Sequence, residues 1–83
     1  MKAIEILRNG KKLFTAGLGD GIVSAKLTVL NEVDPVWFDV VGRDRSTGGH
    51  RKWAHASVKV GDEFTMRLVD VDAAEVDYID EIN

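Results

Sequence analysis

The two histidines of this chain, His50 and His55, are the side chains best suited to proton transfer or metal binding. They stand five positions apart, whereas zinc-binding histidine pairs on a helix are usually separated by one helical turn. A zinc site also needs further ligands, and Asp39 and Asp44 are nearby carboxylates. We therefore predict that the chain binds no metal and no cofactor. It leaves a small hydrolase or metal-dependent enzyme using His50 or His55 as the third hypothesis of function.

Asp44, Ser46 and His50 supply the residue types of a hydrolytic triad within one short segment. A triad needs a rigid frame and an oxyanion hole. This segment is polar, ends in Gly48-Gly49 and lacks the strand-turn-helix pattern that presents a nucleophilic serine. The chain also contains no cysteine, which excludes thiol catalysis and cysteine-based zinc sites. The sequence therefore predicts a protein that is not an enzyme.

A basic stretch with one tryptophan lies between residues 43 and 59, where five Lys or Arg residues accompany a single Asp. Arginine and tryptophan often anchor protein interfaces. We therefore predict a small non-catalytic protein-binding module of the accessory, inhibitor or immunity type, whose partner is another protein. The predicted contact residues are Arg43, Arg45, His50, Arg51, Lys52 and Trp53.

The same stretch, residues 43–59, supports an alternative function as a nucleic-acid-binding β domain. Its basic side chains could neutralise phosphates while Trp53 stacks on a base. Against this, the whole chain has a net charge of −3, and residues 62–83 contain eight acidic side chains and one Arg. Such a tail repels a polyanion, so nucleic acid is the less favoured partner.

Period-two alternation of apolar residues predicts a chain built mainly from strands. Asn9-Gly10, between two strand-like runs, is typical of a two-residue hairpin turn. Residues 22–30, 36–41 and 64–69 read as further strands, and 42–49 reads as a polar loop. Residues 50–57 fit either a short strand or a helical turn. The glycines at 17, 19 and 21 indicate a tight turn or bulge rather than a phosphate-binding loop.

Eighty-three residues form one domain, which we place at 1–83 with an acidic C-terminal tail from about residue 71. The predicted fold is mainly β, a small antiparallel β-sandwich or partly open barrel of five to six strands with at most one short helix. One face of each strand supplies the predicted core. Its members are Ile4, Ile6, Phe14, Val23, Ala25, Leu27, Val29, Phe38, Val40, Phe64, Met66 and Leu68.

The run Val36 to Val41 is apolar on both faces. Phe38 and Val40 serve the core, which leaves Trp37 and Val41 together on the opposite side. An exposed apolar patch of that kind usually marks an interface. The sequence therefore predicts a homodimer that uses Trp37 and Val41, unless the sheet closes or the tail folds over them.

The first residues lack the uninterrupted apolar stretch of a secretory signal, and no run is long enough for a membrane span, so the expected location is cytoplasmic and no membrane contact is predicted.

The chain resembles a set of short, uncharacterised bacterial β-rich proteins. The shared features are the N-terminal hairpin, the segment GLGDGIVSAKLT from Gly17 to Thr28, the motif His50-x-x-Trp53 and the turn VKVGDE from Val58 to Glu63. The resemblance implies a stand-alone bacterial β protein and no particular activity.

Overall fold

The computed structural model describes residues 1–31, 36–77 and 81–82. Its elements in chain order are β1 (Lys2–Arg8), β2 (Lys11–Ala16), β3 (Gly21–Thr28), β4 (Val36–Asp44), β5 (His50–Val58), β6 (Phe64–Asp70), a 3₁₀ turn (Ala73–Glu75) and the two-residue β7 (Glu81–Ile82). The mainly β fold with at most one short helix is therefore confirmed. The sequence also indicates a turn at 31–35, because Pro35 fixes its own φ. Residues 32–35 of that turn and the tail residues 78–80 lie outside the described residues.

The strands form two antiparallel sheets that pack face to face. The small sheet has the order β2-β1-β6, and the large sheet has the order β3-β4-β5-β7. Phe38 of the large sheet stacks on Phe64 of the small sheet, with ring centroids 4.0 Å apart. The fold is a sandwich of two layers, as predicted, and the sheets do not close into a barrel.

The β1–β2 hairpin turns at Asn9-Gly10, as its sequence indicates. Both residues have positive φ, 52° and 80°, which is the conformation that a type I′ turn requires. The Asn9 side-chain amide also donates to the Asp62 carboxylate, and its carbonyl oxygen accepts from the backbone of Glu63. The turn is thereby tied to the start of β6.

The interior is small and lies between β1, β4 and the end of β2. Ile6, Ala16, Phe38 and Val40 are its buried centre. The partly buried apolar residues around them include Ile4, Phe14, Val23, Ala25 and Phe64. These residues confirm most of the predicted core.

Four predicted core residues are exposed instead. Leu27 is 52% exposed, Val29 59%, Met66 54% and Leu68 74%. By register, Leu27 lies opposite Phe38, and Met66 and Leu68 lie opposite Ile6 and Ile4, so they do point to the inner side. For Leu27, Met66 and Leu68 the prediction was wrong about burial because β3 and β6 are edge strands, and the facing sheet does not extend far enough to cover them. Val29 lies beyond the end of β3.

The side of the sandwich away from the edge strands β3 and β6 is closed by residues 71–77. The backbone N–H of Val71 donates to Met1, and that of Asp77 donates to Thr15. The Thr15 N–H in turn donates to the Asp77 carboxylate at 2.6 Å. The first part of the predicted acidic tail is therefore packed against the sheets as far as Asp77. Among the described residues, no helical segment combines the length and apolar character of a membrane span.

Candidate partner-binding face

The strands that carry the candidate site, β4 and β5, are longer than the sequence indicated. Arg43 pairs with His50 and Gly42 with Arg51, so β4 continues to Asp44 and the ambiguous residues 50–57 are a strand. The predicted loop 42–49 is thus reduced to residues 45–49. Within it, the Ser46 hydroxyl donates to the Asp44 carboxylate at 2.6 Å. These bonds from Ser46 and the nearby Arg51 hold the pKa of Asp44 below its usual value.

A β-bulge at Trp53 decides which side chains of β5 reach the surface. Val40 pairs with Ala54 and Val41 with Lys52, which leaves Trp53 as the extra residue. Trp53 and Ala54 both pack against the core as a result. The bulge keeps Lys52 on the side opposite to the core even though the strand alternation is interrupted.

Two of the six predicted contact residues, Arg51 and Trp53, therefore serve the interior. Arg51 is only 8% exposed, and its guanidinium lies 3.6 Å from the Asp44 carboxylate. The Trp53 indole N–H donates to the carbonyl oxygen of Asp77 at 2.8 Å. The sequence placed both in surface positions because neither the bulge nor the extension of β4 could be read from it.

The remaining contact residues are exposed. Arg43, His50 and Lys52 lie on one surface, the side of the large sheet that faces away from the small sheet. Arg45 lies in the adjoining loop, 4.0 Å from Asp20. We call the surface on the large sheet the outer face. Its residues are Ile22, Ser24, Lys26 and Thr28 of β3, Trp37, Asp39, Val41 and Arg43 of β4, and His50, Lys52, His55 and Ser57 of β5.

The centre of the outer face is an aromatic and charged cluster. The Asp39 carboxylate pairs with Nδ1 of His55 across β4 and β5. The His55 ring stacks on Trp37 with centroids 4.4 Å apart and an angle of 14° between the planes. Lys26 is the residue opposite Asp39 on the other flanking strand. The predicted contact residues did not include Lys26 or Asp39, although the alternation in β3 and β4 puts Lys26 with Ser24 and Asp39 with Trp37.

The two histidines do not converge. His50 lies level with Arg43 and His55 level with Asp39, so four residues of β4 separate them. At about 3.3 Å per residue the separation along the strand is about 13 Å, which is too far for one metal ion. No group of three metal-ligating side chains occurs in the part of the chain that the structure describes.

A shallow groove of about 470 Å³ crosses the end of the outer face near β3. Apolar and cationic side chains both line it. The lining residues are Ile22, Ser24, Val41, Gly42, Arg43, His50 and Arg51. Ile22 is 62% exposed there, so an apolar side chain stands in solvent beside the cations.

Comparison of this chain with protein families, curated proteins and solved structures found no match. The assignment of a function therefore depends on the geometry and charge of the outer face.

Proposed function

We propose that this chain is a non-catalytic protein-binding module whose outer face binds an acidic partner protein. The observation that carries the proposal is the set of three exposed cations, Lys26, Arg43 and Lys52, around half-buried Trp37 and Val41. Within the described ranges, none of the three cations has a carboxylate within ion-pair distance. We place this function in the cytoplasm, where a chain with no disulfide to maintain can act.

The charge of the outer face is opposite to that of the whole chain. Its one carboxylate, Asp39, is already paired with His55, whereas the chain has a net charge of −3. A surface that concentrates positive charge on an acidic protein favours encounter with a negatively charged patch and disfavours the wrong orientation. The partner surface should therefore be acidic.

The apolar residues of the outer face are suited to the centre of an interface. The stack on His55 fixes the orientation of the Trp37 ring, and Val41 and Ile22 line the groove. Interfaces combine aromatic anchors at the centre with charged residues at the rim. The partner should accordingly carry apolar side chains within its acidic surface.

The same charges make this face unsuited to a second copy of the chain. A two-fold dimer through Trp37 and Val41 would place Lys26, Arg43 and Lys52 of one copy against the same patch of the other. Like charges across an interface are unfavourable. We therefore assign Trp37 and Val41 to an acidic partner rather than to the homodimer that the sequence predicted.

The test is affinity capture from a lysate of the source organism, treated with nuclease, with three forms of the chain as bait. Arg43→Glu/Lys52→Glu reverses two charges on the outer face, and Lys11→Glu/Lys12→Glu makes the same change at the edge of the small sheet. The proposal predicts an acidic protein that wild type and the Lys11/Lys12 variant retain and the Arg43/Lys52 variant loses. Loss with both variants, or with neither, contradicts it.

Nucleic acid is the second candidate, and the position of Trp37 among cations favours it. His55 covers one face of the Trp37 ring, so at most one face is available to stack on a base. Fluorescence anisotropy with single-stranded and duplex DNA and RNA, titrated against salt, decides between the candidates. Saturable binding that weakens with salt and is lost in Arg43→Glu/Lys52→Glu would support nucleic acid, whereas the protein-binding proposal predicts no saturable binding at physiological salt.

A further inference from the structure

The side of the sandwich between β3 and β6 is open and apolar. Leu27 of β3 and Met66 and Leu68 of β6 point to the inner side yet are 52%, 54% and 74% exposed. Leu68 and Val23 border the same cleft, so the two edge strands lie beside each other at this opening. Contiguous apolar surface of this kind usually marks an interaction site.

The edge of β3 has one feature that hinders strand pairing, a lysine, but it has no proline, bulge or inward-pointing charge. It runs for eight residues, and β4 is its only neighbour among the described strands. Natural edge strands carry inward-pointing charges, prolines or bulges. Lys26 is the one charged residue of β3, and it points to the outer face. The unpaired backbone groups are therefore accessible to another strand.

We propose that a second copy of this chain covers this side, through antiparallel pairing of β3 with β3 about a two-fold axis. The two-fold symmetry fits the side chains when Ala25 of one copy pairs with Ala25 of the second copy. Leu27 then lies opposite Val23 of the second copy, and Lys26 lies opposite Ser24. No like charges lie directly opposite one another in this register, and the two Lys26 side chains are diagonal neighbours about 7–8 Å apart on the solvent side. The two β6 strands come to the same side, where Met66 and Leu68 of both copies shield one another from water.

A stable dimer needs a contact of ordinary size. A specific dimer buries about 800 Å² on each partner, which is about a seventh of the 5785 Å² accessible surface of this chain. Pairing along the eight residues of β3 gives a contact about 26 Å long, to which the exposed residues of β6 add. This inference does not rest on the proposed function, because its evidence is the exposure of inner-side residues and the edge of β3.

The first test is the mass in solution by light scattering as the concentration is raised. Wild type should approach twice 9.2 kDa. Leu68→Lys places a charge at the open side and should give the monomer mass with an unchanged circular dichroism spectrum, because Leu68 supports little of the core. Leu13→Lys makes the same change on the distant edge strand β2 and should remain dimeric, as should Trp37→Lys.

A monomer mass for wild type at every concentration would overturn the proposal. So would a dimer that persists in Leu68→Lys but dissociates in Trp37→Lys, since the outer face would then be the interface.

The second test uses the fact that the chain contains no cysteine, so that one introduced thiol reports on one position. Ala25→Cys should form a covalent dimer on mild oxidation, and reduction should reverse it. Thr65→Cys, on the opposite face of β6, should remain uncrosslinked. Absence of the Ala25 crosslink under conditions that give a dimeric mass would contradict pairing through β3.

Discussion

The indole nitrogen of Trp53 lies 2.8 Å from the carbonyl oxygen of Asp77, so a bulge residue of β5 holds the acidic segment that follows β6. The Asp77 carboxylate accepts a second bond from the backbone N–H of Thr15 on β2. One acidic residue therefore connects β2 of the small sheet to β5 of the large sheet. The side of the sandwich near Asp77 is closed by these contacts, in contrast to the open side between β3 and β6.

We expect Trp53→Phe to loosen this connection while leaving the aromatic packing largely intact. The substitution removes one hydrogen-bond donor, with an expected cost of about 0.5–1.5 kcal/mol in unfolding free energy. Amide hydrogen exchange should become faster at Thr15 and Asp77. Trp37→Phe, the matched change on the outer face, should leave both amides unchanged. Equal exchange in wild type and Trp53→Phe would show that the indole does not hold the segment.

Gly21, the first residue of β3, lies close against the backbone of β4. A Cβ added there would lie 2.4 Å from the backbone oxygen of Arg43 and 2.9 Å from the Leu18 side chain. Gly21→Ala should therefore destabilise the fold by about 1–3 kcal/mol, the usual cost of overpacking. Gly19→Ala is the control, since a Cβ at Gly19 meets nothing within 4 Å. Urea unfolding of both variants measures the difference, and similar midpoints would contradict this explanation of the glycine at position 21.

Local sequence signals predicted the parts of the fold that depend on neighbouring residues. Asn-Gly is one of the few residue pairs that readily take positive φ at both positions, so the hairpin at Asn9-Gly10 could be predicted. Alternation likewise predicted the inner sides of β3 and β6. It could not predict that Leu27 and Leu68 are exposed, because burial depends on how far the facing sheet extends.

The candidate site was only partly predictable for the same reason. Arg43, His50 and Lys52 share the outer face as exposed residues, but Arg51 and Trp53 turn inward. The bulge at Trp53 depends on pairing with β4, which is a contact between strands and not a property of the segment alone. If the bulge is ignored, regular alternation counted back from the residues after it puts His50 and Lys52 on the inner face, although they lie on the outer face.

Asp62 should make stability depend on pH in the acid range. Its carboxylate accepts the Lys59 backbone N–H and bonds from Arg8 and Asn9, which lower its pKa from 3.8 to about 2. A lowered folded-state pKa stabilises the protein above pH 3.8, and this stabilisation is lost as the pH falls toward about 2. Asp62→Asn should melt below wild type at neutral pH, and the difference should shrink across that window.

Thermal unfolding between pH 7 and pH 2 measures this effect. Asp72→Asn is the control, because Asp72 is exposed and its side chain makes no capping hydrogen bond. A difference between wild type and Asp62→Asn that stays constant across the acid window would contradict the role assigned to the Asp62 carboxylate.

The stacked pair Phe38 and Phe64 is unequal in burial. Phe38 is 1% exposed at the centre of the core, whereas Phe64 is half-buried beneath the Arg8 guanidinium. Phe38→Ala should cost about 3–5 kcal/mol, which is most of the stability of so small a domain. Phe64→Ala should cost less because part of its ring is already in solvent. Denaturant titration of both variants, with Leu68→Ala as the exposed control, checks the order, and a larger loss for Phe64→Ala would reverse it.

The assigned function depends on recognition of an acidic protein by the outer face of the large sheet through Arg43 and Lys52. Calorimetric titration of the captured partner with wild type, Arg43→Glu/Lys52→Glu and Lys11→Glu/Lys12→Glu at two salt concentrations measures this most directly. We expect affinity to be lost only in the Arg43/Lys52 variant and wild-type binding to weaken as salt rises. Unchanged affinity in that variant, with its fold intact, would contradict this function.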